Sequence, residues 1–241
     1  MRDAENIREV EQLNTELSIV NSQFSIDMMG FIFWPKSSRY VSERPAYLPT
    51  KCRRVGVFVN ADIDDVRRTA ADYALDFIQL HGSESPDYIR TLRADSGIDT
   101  SVDGGFATVI IKAFNIATAA DLEATKPYEG LVDYFLFDTK GKSVGGNGEK
   151  FDWTVLADYV GETPFLLSGG IGPDDAERVR ALISGRACSR SSEQTSSICS
   201  RSIAAFSHPL CIGIDLNSRF ETAPAMKDVA ALRRFLSQLS H

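Results

Sequence analysis

A chain of 241 residues, 43% hydrophobic and 24% charged, is long enough to bury one substantial core. Its net charge of −7 argues against a nucleic-acid surface, which needs clustered Lys and Arg, but leaves room for a local site that takes a small anion. Cys52, Cys188, Cys199 and Cys211 show neither CxxC nor zinc-type spacing, the opening Met1–Glu16 is charged rather than signal-like, and no apolar run reaches membrane-spanning length. A cytoplasmic protein without membrane or nucleic-acid partners is expected; nothing in the sequence fixes its oligomeric state.

In chain order, a helix is expected first, over about Asp3–Leu13. Leu17–Val20 offers only a short, weak strand. Seven apolar runs follow: Asp27–Phe33, Arg54–Val59, Phe77–His81, Thr108–Phe114, Tyr134–Thr139, Pro164–Ile171 and Cys211–Asn217. Continuous apolar runs of this length suit strands buried on both faces of a parallel sheet. Helix patterns alternate with them. Asp62–Leu75 carries a stripe of Val66, Ala70, Tyr73 and Ala74, and Ser85-Pro86 reads as an N-cap and first helical residue. Pro173 opens a helix with Val179 and Leu182 inward, and Lys227–Leu239 carries Leu232, Phe235, Leu236 and Leu239 on one face.

Repeated strand–helix units specify either an open doubly wound sheet or a (β/α)₈ TIM barrel. The barrel needs eight strands, and the sequence shows seven. The eighth would stand immediately before the first helix. A single domain over 1–241 is expected, carrying a Ser-rich, low-complexity insertion at about 184–203 that contains Cys188 and Cys199.

In such barrels the working residues lie at the C-terminal ends of strands and in the loops that follow. That rule selects the loop holding Arg39, then His81, Lys112–Asn115, Asp138, Gly169-Gly170 and Asp215–Glu221. The glycine pair lets backbone N–H groups approach a ligand, and Ser218-Arg219-Phe220-Glu221 has the spacing of a capping box on a short helix. Together they suggest a phosphate site; a tight turn and an ordinary cap are the structural alternative. Asp138 ends an otherwise apolar strand, a partly desolvated setting that suits a general acid, although Asp also serves as an Asx turn or cap there. Arg39 can fork onto a carboxylate, and Gly145-Gly146-Asn147-Gly148 can close over a ligand. His81 alone would be a weak candidate. GxGxxG and Walker A patterns are absent.

Seven segments then occur in one order: Gly30–Val41, Gly56–Asn60, Ile78–Gly82, Phe135–Thr139, Gly145–Trp153, Leu167–Ile171 and Gly213–Pro224, with Lys227-Asp228 after the last. Taken together, and spanning nearly the whole chain, they resemble the phosphoribosylanthranilate isomerase family. The resemblance implies an Amadori rearrangement of N-(5-phosphoribosyl)anthranilate with no metal or organic cofactor. It assigns Asp138 as the acid, Arg39 to the anthranilate carboxylate and His81 to the pocket. Gly169, Gly170, Asn217 and Ser218 match the phosphate cradle, with Asp215 nearby.

The family's base is a cysteine in a K-[IV]-C-G motif that ends its first strand, and Met1-Arg2-Asp3-Ala4 looks like the residues just after that motif. The sequence as written is therefore expected to be inactive for want of the base. Two further readings stand beside this one: another sugar-phosphate isomerase barrel, and a barrel that only binds a phosphorylated ligand.

Overall fold

In a computed structural model, residues 1–19, 24–94, 109–139, 153–184 and 208–239 are described. All seven apolar runs form strands: β1 Met28–Ile32, β2 Arg53–Phe58, β3 Phe77–Leu80, β4 Val109–Ile116, β5 Tyr134–Thr139, β6 Phe165–Ser168 and β7 Cys211–Ile214. They make one parallel sheet in the order of the sequence, β1 through β7. A two-stranded antiparallel pair, β8 Glu221–Ala223 and β9 Met226–Lys227, follows β7. The helices are α1 Ala4–Ile19, α2 Ile63–Tyr73, α3 Pro86–Ala94, α4 Ala176–Ser184 and α5 Val229–Leu239.

The alternation of side chains along each strand sorts the sheet into two faces. One face buries Val55, Phe77, Ile111, Ala113, Leu136 and Leu166 together. The other carries Phe58, Ile78, Leu80, Phe135, Phe137, Phe165 and Leu167 against the helices. In β5 the switch is visible residue by residue: Phe135 and Phe137 pack on Tyr159 outside, while Leu136 points the other way.

A flat sheet of seven strands would hold its edges roughly 29 Å apart at the usual strand spacing. Here α1, before β1, packs on α5, after β7, and Arg39 beyond β1 hydrogen-bonds Glu221 beyond β7. The sheet is therefore rolled, and β1 and β7 face one another without pairing. Both are more open than the middle strands: Met28, Gly30 and Ile32 of β1, and Ile212, Gly213 and Ile214 of β7, are half-buried or exposed, whereas β3 and β6 are buried throughout. The nitrogen of Met1 donates to the Gly30 carbonyl and Val41 N–H to the Ile32 carbonyl, so β1's outer edge is partly occupied.

Several expectations need correcting. The first helix runs on to Ile19 instead of ending near Leu13, because Leu13 and Leu17 continue the buried stripe begun by Ile7 and Val10. Leu17 is thus helical, and the alternative strand at 17–20 fails for its described part. The final helix begins at Val229, since Met226–Lys227 is taken by the β8–β9 pair. Ser218–Phe220 forms only a three-residue 3₁₀ turn with no side-chain cap on Asn217, so the capping box does not form. Glu221 is drawn instead to a distant guanidinium. The loop at 145–148 and the insertion at about 184–203, with Cys188 and Cys199, lie outside the described residues apart from Ser184.

Candidate active site

Parallel strands bring all their C-terminal ends to one rim. Going round it, His81 follows β3, Asp138 lies near the end of β5, Ser168 ends β6, Gly169-Gly170 follow, and Asp215 follows β7. Register sets neighbours: Asp138 pairs with Asn115 of β4 on one side and Ser168 of β6 on the other. The candidates chosen by strand position therefore share one end of the roll.

Asp138 keeps 21% of its side-chain surface, and its Oδ2 lies 3.6 Å from His81 Nε2. This is within ion-pair reach and beyond hydrogen-bond distance. On the other ring nitrogen, the Gln79 amide nitrogen stands 3.3 Å from Nδ1. Ser168 Oγ donates to Asp215 Oδ2 at 2.9 Å, and Asp215 N–H to the Leu167 carbonyl.

Arg39 meets Glu221 along one side of its guanidinium, Nε donating at 2.8–3.0 Å and Nη2 at 2.6 Å. Glu221 is 5% exposed and lies 3.5 Å from Lys227 Nζ. Burial raises the Glu221 carboxyl pKa, but Arg39 and then Lys227 outweigh it and hold it below the usual range. Burial lowers the Lys227 ammonium, a shift countered by Glu221 and Asp215. Lys227 also donates to Asn217 Oδ1 at 3.0 Å and to the Leu216 carbonyl. Arg39's Nη1 makes no hydrogen bond among the described residues, so the outer edge of the fork faces away from Glu221.

Gly169 and Gly170 have φ of +88° and +67°, where a side chain would be strained. A Cβ on Gly170 would meet nothing within 4 Å, so its backbone is open to a ligand. The Arg219 side chain lies against Gly172, its Cδ 3.0 Å from where a Cβ would sit, which joins the loops after β6 and β7. Asn217 and Ser218 are exposed on the same loop.

Lys112, among the strand-end candidates, turns away from this rim. Its ammonium is buried between sheet and helices, 3.2 Å from Glu84 Oε2 and 2.8 Å from the Gly82 carbonyl, with Phe114 and Tyr128 rings around it. Glu84 in turn accepts from the Asn60 and Gly82 N–H groups. This pair fixes the turn that follows His81. Sequence reasoning missed Gln79, Glu84, Lys227 and the true partner of Glu221. Of these, Gln79 was open to the period-2 rule, which puts it on the same face as His81.

Neither described cysteine reaches the rim. Cys52 precedes β2 and Cys211 opens β7, both buried at the opposite end. Burial, with Glu11 and Asp27 nearby, pushes the Cys52 thiol up to about 11. Among the described residues no cluster of three or more His, Cys, Asp and Glu is arranged to hold a metal, and no helix is long and apolar enough to cross a membrane.

A rolled parallel sheet with acid, cation and open glycine backbone on its C-terminal rim defines a TIM-barrel enzyme. The family model for N-(5'phosphoribosyl)anthranilate (PRA) isomerase matches residues 6–238. The chain is 42% identical over 239 residues to the N-(5'-phosphoribosyl)anthranilate isomerase of Phocaeicola vulgatus, covering 99% of this chain and 94% of that one. It is 41% identical to the same enzyme of Parabacteroides distasonis, covering 100% of this chain and 91% of that one. The solved phosphoribosyl anthranilate isomerase of Thermotoga maritima superposes with a TM-score of 0.61 at 27% identity, covering 94% and 93% of the two chains. Another solved member, at 24% identity and a TM-score of 0.61 over 96% and 95%, is in complex with reduced 1-(o-carboxyphenylamino)-1-deoxyribulose 5-phosphate. The chain belongs to the phosphoribosylanthranilate isomerase family and is an isomerase.

Proposed function

We propose that the chain catalyses, or supplies most of the machinery for, the Amadori rearrangement of N-(5-phosphoribosyl)anthranilate to 1-(2-carboxyphenylamino)-1-deoxyribulose 5-phosphate in tryptophan biosynthesis. The observation that carries this reading is the half-buried Asp138, facing His81 on the rim that also holds Arg39 and the open backbone of Gly170. Asp138 gives its proton to the ribose ring oxygen, and the C1–O bond breaks to leave a Schiff base. A base then removes the C2 proton, and the resulting enolamine tautomerises to the ketone.

Arg39 takes the anthranilate carboxylate on the edge of its guanidinium turned away from Glu221. His81 lines the pocket beside the acid. Gly169 and Gly170 meet the phosphate through backbone N–H groups, with Asn217 and Ser218 beside them. These roles call on no metal or organic cofactor, and the whole chain acts as one barrel domain.

The base has no candidate among the described residues. Cys52 and Cys211 lie at the wrong end, and the Cys52 thiol is held protonated. The strand order leaves one place on the rim, between β7 and β1, where the family's K-[IV]-C-G strand would fit. A polypeptide limited to these 241 residues should therefore bind the reduced product and fail to turn over substrate. Titration with that reduced product tests the binding half. Micromolar or tighter binding, weakened in Arg39→Ala, is expected; no measurable binding in a folded sample contradicts the reading.

A further inference from the structure

We propose that Gln79 is a positioning residue that fixes the tautomer of His81 and so decides which oxygen of Asp138 carries the acid proton. The inference rests on the reading of Asp138 as the acid and adds how that acid is oriented. Along β3, residues 77, 79 and 81 share one face, which places Gln79, only 8% exposed, directly beneath His81 on the inner side of the roll. The amide nitrogen of Gln79 is a donor and cannot accept, and it stands 3.3 Å from Nδ1 of His81. With the amide turned this way Nδ1 accepts, which puts the proton of the neutral ring on Nε2.

Nε2 is the nitrogen that faces Asp138 Oδ2, at 3.6 Å. The ring therefore points an N–H at Oδ2, and a proton on Oδ2 would meet it head-on. The acid proton is left to Oδ1, the oxygen that His81 does not face. When that proton passes to the substrate oxygen, the new carboxylate charge finds the Nε2–H already aimed at it. A contact of 3.6 Å shortens when substrate closes around it. The opposite tautomer would set two N–H groups against each other at Nδ1 and turn a lone pair toward the carboxylate.

Two-bond ¹H–¹⁵N correlation spectra of the imidazole rings in the labelled 241-residue chain test this directly, at a pH where histidine is neutral. The chain holds 3 histidines, and His81→Phe assigns the signals of interest. His208 serves as a fold reporter, because its Nδ1 accepts from Leu210 N–H in a separate part of the molecule. With the His208 pattern unchanged, His81 should be Nε2–H in the parent and remain so in Asp138→Asn. In Gln79→Glu, a carboxylate in place of the amide donor should drive the proton to Nδ1. Nδ1–H in the parent, loss of the Nε2–H form in Asp138→Asn, or its persistence in Gln79→Glu would each overturn the proposal. The acid reading itself is tested separately by the turnover of Asp138→Asn, so the two can fail independently.

Discussion

The rim positions of Asp138 and Arg39 were legible in the sequence because apolar runs mark where parallel strands end: Asp138 lies near the end of β5 and Arg39 in the loop after β1. The partner of Arg39 was not. Ser218-x-x-Glu221 has the spacing of a local cap, and nothing in the sequence says that Glu221 will cross 182 residues to a guanidinium. The stronger attraction decides: a charge-assisted, two-pronged contact outweighs one cap hydrogen bond on a three-residue turn. Two predictions belong to single residues. In a chain carrying an upstream strand that ends Lys-x-Cys-Gly, Asp138→Asn should hold substrate affinity and lower turnover by roughly 10²-fold or more. Steady-state kinetics within a few-fold of the parent would remove Asp138 from the mechanism. Arg39→Ala should raise the Kd for the reduced product by about 10–10²-fold, the scale of lost hydrogen bonds to a charged group. An analogue without the ring carboxylate should bind parent and variant alike in calorimetry.

The seven strands of the parallel sheet read cleanly in sequence because strands buried in such a sheet leave an unbroken apolar run. The 3₁₀ segments Ala119–Tyr128 and Trp153–Asp158 did not, since each buries only two residues and the first carries Pro127 inside it. Between these layers sits the Lys112–Glu84 pair, with 3% and 1% of the two side chains exposed. Glu84→Ala would strand a buried ammonium and free the turn after His81, at a cost of about 3–5 kcal/mol. Denaturant unfolding should show the double variant Glu84→Ala/Lys112→Met less affected than the single. Equal losses would mean the charge is well solvated.

His208, ahead of β7, packs at a tilt against Phe165 and Tyr159, and its ring accepts from Leu210 N–H while Nε2 reaches the Tyr159 carbonyl. Burial lowers its pKa below 6.5, with the Tyr159 carbonyl opposing. The unfolded chain then binds more protons than the folded one, so stability is lost as pH falls from above 6.5 through the folded value. The window lies above that of Glu221 and Glu11, whose lowered values act below 4.5. The melting temperature should therefore begin to fall between pH 7 and 5, and His208→Gln should flatten that slope. A parent and variant that lose stability in parallel over this range would contradict it.

Among the described residues the molecule is a rolled sheet whose two edge strands, β1 and β7, do not pair with each other. The seven-strand count was readable from the sequence. What the sequence hid was that packing of α1 on α5 and the Arg39–Glu221 bridge hold the roll together between those two edges. On the proposed function, these residues supply the acid, the carboxylate grip and the phosphate cradle of a phosphoribosylanthranilate isomerase, and a strand between β1 and β7 carries the base. The most direct measurement is the turnover of N-(5-phosphoribosyl)anthranilate by three polypeptides purified free of host enzyme. They are the 241 residues alone, the same with an upstream strand ending Lys-x-Cys-Gly, and that strand with Ala for Cys. Turnover is expected in the second only, with a loss of roughly 10²–10⁴-fold on replacing the cysteine although the third still binds the reduced product. A rate for the 241 residues alone equal to that of the extended chain would contradict it.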